Sequence, residues 1–325
     1  MSFPYDNTRA AATAVDHQSV VDAAHRITSI VRRTPILTTA VPTPNGPVEV
    51  AFKLEYLQHG GSFKVRGSLN ALGRARENGT LPDAGVLIAS GGNAAIGAAW
   101  AARYWDTPCT VVVPEAAPPT KLDRLQRLGA TVHRMGSSYA DAAAHAVTLA
   151  GELGALTLHA YDLPDIVAGA GTIALELAEQ VSTPMEYLVA VGGGGLVAGI
   201  TAGARDTDVI HGVEPTGAAA LHHALAAGTP IDIEVDSIAA DSLGATRIGN
   251  LAWAAASSGR IGSLVADDAA IVAARRWLWD ELRIVVEHGT AAALAPILAG
   301  TVTATAGRTL CVVLCGANTA LSDLG

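Results

Sequence analysis

Between residues 85 and 159 the chain repeats one rhythm, a short apolar run followed by a helical pattern, with only brief turns between. It predicts strands over 86–89, 110–113, 131–134 and 156–159, separated by helices over 93–105, 120–128 and 138–152. Strands joined through helices pair in parallel with right-handed crossovers, so this block folds as a parallel sheet covered by helices. The rhythm resumes with helix 172–180, strand 187–191, helix 196–204 and strand 209–214, then helix 268–280, an extended stretch 284–287, helix 290–299 and a last strand 310–314. Nearer the start, Val20, Val21, Ala24, Ile27 and Val31 recur at helical spacing over 16–31, and Val48, Val50 and Phe52 share one side of a strand over 48–54. The fold class is α/β. At 325 residues the chain is long for one core, and two units sharing a cleft are expected: a small mobile domain over 85–159, and a larger one from 1–84 plus 160–325.

Half of the residues are apolar and 16% are charged, the composition of a well-buried globular chain. Lys and Arg number 21 against 30 Asp and Glu, a net charge of −9 with no long basic cluster, which argues against nucleic acid and anionic membranes as partners. Three cysteines, Cys109, Cys311 and Cys315, contain no Cys-x-x-Cys pair and read as thiols in a reducing compartment. The first ten residues carry Asp6 and Arg9 and no apolar stretch, so no signal peptide is expected and a cytoplasmic location follows. Two charge-free windows, 187–204 and 289–307, are interrupted by glycines, threonines and Pro296 and read as buried soluble segments.

Three glycine-rich turns punctuate this frame. Gly60-Gly61-Ser62-Phe63-Lys64-Val65-Arg66-Gly67 sets one lysine after a strand and at the start of a helix, where the helix end lowers an ammonium pKa. Ser90-Gly91-Gly92-Asn93-Ala94 and Gly192-Gly193-Gly194-Gly195 also follow strands and open helices. Consecutive glycines let backbone N–H groups converge on a phosphate beside the positive end of a helix. Taken alone, such a run serves tight packing equally well.

In this order the three turns resemble those of the pyridoxal 5′-phosphate (PLP) enzymes of fold type II, the tryptophan-synthase-β-like family, most closely its serine/threonine dehydratase branch. The resemblance runs from Lys53-Leu54-Glu55-Tyr56-Leu57-Gln58 to Cys315-Gly316-Ala317-Asn318. It implies two domains, each a mostly parallel twisted sheet flanked by helices, a PLP site between them, a small domain that closes on substrate, and a homodimer. Lys64 is then the Schiff-base lysine and the acid/base. Phe63 packs against the cofactor ring or simply in the core; Asn93 holds the 3′-oxygen, caps its helix, or both. Gly192, Gly193, Gly194 and Gly195 form the phosphate cup, with Glu214 and Pro215 downstream as in the family. Ser90, Gly91, Gly92, Asn93 and Ala94 hold the substrate carboxylate. Cys315 faces the pyridine nitrogen or is a buried structural thiol; a neutral partner there favours elimination. The implied activity is conversion of L-threonine or L-serine to a 2-oxo acid and ammonia. Serine racemisation, β-replacement and a catalytically silent PLP-binding protein are the alternatives.

Departures bear on the choice. Serine racemases resemble this chain but carry a serine acid where it has Gly91, and an acidic metal ligand where Ala218, Ala219 and Ala220 stand. Glu214 alone remains there as a candidate cation ligand. His59 stands where many dehydratases have proline or threonine, and His288 where the family has a small residue; each shapes the pocket or is a satisfied structural histidine.

Overall fold

The computed structural model describes residues 15–117, 119–137 and 139–320, so the first ten residues and Ser138 lie outside the described residues. Its strands are β1 (Ile36–Val41), β2 (Val48–Lys53), β3 (Val86–Ala89), β4 (Cys109–Val113), β5 (Thr131–Arg134), β6 (Leu156–Leu158), β7 (Met185–Ala190), β8 (Val209–Pro215), β9 (Ile261–Ala266) and β10 (Thr309–Val313). Its helices are α1 (His17–Ile27), α2 (Lys64–Glu77), α3 (Asn93–Tyr104), α4 (Pro119–Arg127), α5 (Tyr139–Leu153), α6 (Pro164–Gln180), α7 (Gly195–Gly203), α8 (Ala220–Ala227), α9 (Ala240–Leu243), α10 (Asn250–Ser257), α11 (Asp268–Leu282), α12 (His288–Ala291) and α13 (Ala295–Leu298). One sheet has six strands in the order β1-β2-β10-β7-β8-β9, the other four in the order β5-β4-β3-β6. Every adjacent pair is parallel except β1 with β2.

In the four-stranded sheet Leu87 and Val112 face α5, while Val86, Ile88, Val111 and Val113 pack with residues of α2, α3 and α4. The six-stranded sheet shares a second core with α6, α7, α10 and α11. β2 differs from its one-sided expectation, since Ala51 and Lys53 are buried as well as Val50 and Phe52. Helices cover both of its faces: Phe52 packs on Trp277 of α11, with ring centres 6.4 Å apart, and Lys53 on the other face reaches Glu176 and Gln180 of α6. Helix 172–180 begins earlier than expected, at Pro164. The glycines of its first turns permit backbone contact between helices: a Cβ on Gly169 would lie 2.6 Å from Arg66 O, and one on Gly171 2.5 Å from Gly199 O. The helix expected over 290–299 is two short ones, because Pro296 cannot continue the first and starts the second.

A buried ion cluster anchors α2. Arg66 donates to both oxygens of Glu55 at 2.8 Å and to Glu176 Oε1 at 2.8 Å, while Lys53 Nζ donates to Glu176 Oε2 at 2.7 Å, Thr34 O at 2.8 Å and Gln180 Oε1 at 2.9 Å. Two cations meet two carboxylates, so the buried charge is balanced. Among the described residues no helix is long and apolar enough to cross a membrane.

Candidate active site

In a parallel sheet the loops that leave the carboxyl ends of strands carry the ligand site. The turn holding Lys64 follows β2, residues 90–93 follow β3, His159 to Asp162 follow β6, the glycine run follows β7, and Cys315 to Asn318 follow β10. The β10 exit is stitched to the lysine turn: Tyr56 N donates to Leu314 O at 2.8 Å, Phe63 N to Cys315 O at 3.0 Å and Ala317 N to Gly61 O at 3.0 Å.

Lys64 is the first residue of α2, and its Nζ donates to Ala160 O at 2.8 Å while lying 4.9 Å from the centre of the Phe63 ring. Burial lowers its amine pKa to about 8, against the upward pull of Cys315 and Glu287. An amine so held is neutral in part near physiological pH, as bond-forming chemistry requires. Phe63 packs on the larger core, as one of its two expectations had it.

Asn93 opens α3, but Gly92 occupies the cap position, which corrects the capping expectation. Its side chain is used otherwise. Asn93 Nδ2 donates to Glu287 Oε1 at 2.8 Å and Oε2 at 2.9 Å, and Asn93 Oδ1 accepts from Asn318 Nδ2. Ser90 Oγ accepts the Gly92 N–H at 3.2 Å, closing the turn. A Cβ on Gly91 would meet only Val113 Cγ1, at 3.5 Å, and one on Gly92 nothing within 4 Å, so the turn is open above both.

The glycine run answers to packing and to donor geometry together. A Cβ on Gly193 would lie 2.4 Å from atoms of the Tyr161 ring, and Gly194 has φ 88°, conditions only glycine meets easily. Among the described residues the N–H groups of Gly192, Gly193, Gly194 and Gly195 have no acceptor, at the start of α7. Asp162 fastens the next loop to this run, accepting from Asn250 N at 3.0 Å and Leu251 N at 2.9 Å, while Gly249 N donates to Gly193 O at 3.1 Å.

Cys315 is buried, 3.2 Å from Thr290 Oγ1, and burial pushes its thiol up to about 12, so it is neutral. Lys64, Phe63, Asn93, Cys315 and the glycine run therefore meet at one crevice. Glu214 does not join them. Both of its oxygens are used by backbone, Leu221 N at 2.7 Å and His222 N at 2.8 Å, and burial raises its pKa to about 7. Among the described residues no group of three or more His, Cys, Asp or Glu side chains is arranged to hold a metal. His59 stacks on Trp100 with ring centres 4.2 Å apart, and His288 Nε2 lies 3.3 Å from Arg275 Nη1.

Several residues at the crevice escaped the sequence reading. Glu287, buried at the start of α12, binds Asn93 and also accepts from Asn318 N at 2.8 Å. Tyr161 supports the glycines, and His159 Nδ1 accepts from Tyr161 N at 3.3 Å and Asp162 N at 2.9 Å. Arg124 reaches Gly60 O at 3.1 Å from α4. A charged residue just before α12 was the available signal for Glu287; for Tyr161 and Arg124 the sequence held none.

The family described as pyridoxal-phosphate dependent enzyme matches residues 27–316. An L-threonine ammonia-lyase of Geobacter sulfurreducens is 33% identical over 297 residues, 90% of this chain and 73% of that protein. An L-threo-3-hydroxyaspartate ammonia-lyase of a Pseudomonas species is 32% identical over 274 residues, 83% of this chain and 85% of that protein. The structure of maize serine racemase superposes with a TM-score of 0.88 at 28% identity, covering 96% of each chain. A lysine, an asparagine, a donor-lined glycine turn and a neutral thiol converge here on one crevice between two parallel sheets, and the chain belongs to the pyridoxal-phosphate dependent enzymes of fold type II, in the group that holds ammonia-lyases and racemases.

Proposed function

We propose that this protein is an ammonia-lyase that converts a 3-hydroxy amino acid, L-threonine or L-serine, to a 2-oxo acid and ammonia. The residues present fit PLP: acceptor-free N–H groups at the start of α7 suit a phosphate, Asn93 suits the 3′-oxygen, and the neutral Cys315 thiol suits an unprotonated pyridine nitrogen. When bound, PLP supplies the electron-withdrawing ring that makes the substrate α-proton removable. Lys64 Nζ is the group that binds the cofactor, takes that proton and later returns one. The Ser90 hydroxyl, whose oxygen accepts from Gly92 N, and the other N–H groups of the 90–94 turn orient the substrate carboxylate. Tyr161 and the Asp162-fastened loop keep the glycine run in shape.

The observation that carries elimination over racemisation is Gly91. Inverting the α-carbon needs a second proton donor on the face opposite Lys64, and glycine has none to give. The likeness to serine racemases keeps that reading in view, and the names of other relatives bring 3-hydroxyaspartate into the test. A panel of L-threonine, L-serine and L-threo-3-hydroxyaspartate, assayed for 2-oxo acid and ammonia with enantiomer analysis, is expected to give 2-oxo acid with little D-product. Abundant D-serine would overturn this reading. Gly91→Ser, for which the turn has room, is expected to raise D-serine formation by about 10²-fold, the scale of a positioned acid.

Cys315 gives a separate test. Cys315→Ser keeps a neutral partner and is expected to retain elimination within about threefold, while Cys315→Asp places a carboxylate there and is expected to lose about 10²-fold or more. Equal rates in both variants would remove Cys315 from the ring.

A further inference from the structure

Arg124 projects from α4, which covers the four-stranded sheet, yet both of its partners belong to loops of the six-stranded sheet. Its Nη2 donates to Gly60 O at 3.1 Å, and its Nη1 donates to Asn318 Oδ1. Asn318 Nδ2 in turn donates to Gly60 O at 2.9 Å and to Asn93 Oδ1. Asn93 Nδ2 then donates to the Glu287 carboxylate at 2.8 and 2.9 Å. A guanidinium has only donors and a carboxylate only acceptors, so the orientation of both amides between them is fixed from each end. Asn93 Nδ2 therefore lies against both carboxylate oxygens of Glu287, and the donor proposed for the cofactor is held in place by that contact.

We infer that Arg124 is a positioning residue that clamps this relay at the Asn318 oxygen and the Gly60 carbonyl, and so couples the seating of α4 to the presentation of the Asn93 donor. The inference rests on the reading that Asn93 binds the cofactor 3′-oxygen. When Arg124 is in place, Asn318 must turn its oxygen toward the guanidinium and its NH2 toward Asn93. The Gly60 carbonyl and the Glu287 carboxylate keep both amides in this orientation without Arg124, but Asn318 then loses the clamp on its oxygen, and its hydrogen bond to Asn93 Oδ1, with the Asn93 side chain behind it, is held less firmly.

A double-mutant cycle on cofactor affinity tests this. PLP dissociation constants and the pH dependence of the visible absorbance band are measured for the full-length protein, Arg124→Met, Asn93→Ala and the double variant. Arg124→Met is expected to weaken PLP binding about fivefold to tenfold and to shift the midpoint of the band, and to change the constant by less than about twofold once Asn93 is alanine. Asn318→Asp keeps a partner for Arg124 but cannot donate to Asn93, so it is expected to reproduce the loss even if Arg124→Met folds poorly. Equal effects of Arg124→Met in the two backgrounds, or a harmless Asn318→Asp, would overturn the relay while leaving the cofactor site intact. A wild-type protein with no visible band on PLP addition would overturn the cofactor role of Asn93 itself, and the relay with it.

Discussion

Lys64→Met is expected to abolish the visible absorbance band formed with PLP and to lower turnover by about 10³-fold or more, because no other group at the crevice can both bind the cofactor and carry the α-proton. The same change is expected to stabilise the cofactor-free protein at neutral pH. In the folded chain the amine has a pKa of about 8, against an ordinary 10.5. Between those values the unfolded chain binds more protons than the folded one, so wild-type stability rises with pH through that window. Below about 8 the folded chain bears the whole cost of a half-buried ammonium, roughly 1–3 kcal/mol, and Lys64→Met relieves it. Urea unfolding of the cofactor-free proteins at pH 7 and pH 10.5 measures this. A variant less stable than wild type at pH 7, or a gain that grows toward high pH, would contradict the burial of Lys64.

Arg66→Met carries the largest expected loss of stability. It leaves Glu55, wholly buried, with no cation hydrogen-bonded to it, and leaves Glu176 with Lys53 alone. Breaking a buried pair from one side costs about 3–5 kcal/mol, far more than a surface pair contributes. The consequence reaches the site, since Arg66 lies two residues after Lys64 in α2 and its partners are fixed in β2-adjacent backbone and α6. PLP affinity is therefore expected to fall along with stability. Adding Glu55→Gln to Arg66→Met is expected to restore part of the loss, because it removes the stranded charge. A loss below about 1 kcal/mol for Arg66→Met would mean that solvent reaches the cluster.

The elements with the clearest periodicity were legible from sequence. Strands 86–89 and 131–134 match β3 and β5 residue for residue, and the lysine turn, the 90–94 turn and the glycine run all fall between a strand and a helix. What escaped had physical causes. The glycines inside α6 broke a helical pattern that tertiary packing restores, since they let α2 and α7 approach its backbone. β1 pairs antiparallel at a sheet edge and lies outside the strand–helix rhythm that revealed its neighbours. At the site, residues that act within one turn were visible, whereas Glu287, Asn318 and Arg124 come from distant segments and meet only through the fold. Local spacing carries no record of such contacts. The packing purpose of the glycine run shows only in three dimensions, where Tyr161 explains Gly193, while the acceptor-free N–H groups are what the proposed phosphate site would use.

The chain has only three lysines, Lys53, Lys64 and Lys121. Lys53 is committed to the buried ion cluster. Borohydride reduction of the PLP-loaded protein, followed by peptide mapping of the reduced adduct, therefore distinguishes the candidates directly. The adduct is predicted on the peptide that contains Lys64 and on no other. An adduct on Lys53 or Lys121, or none at all, would contradict the placement of the catalytic centre at the start of α2.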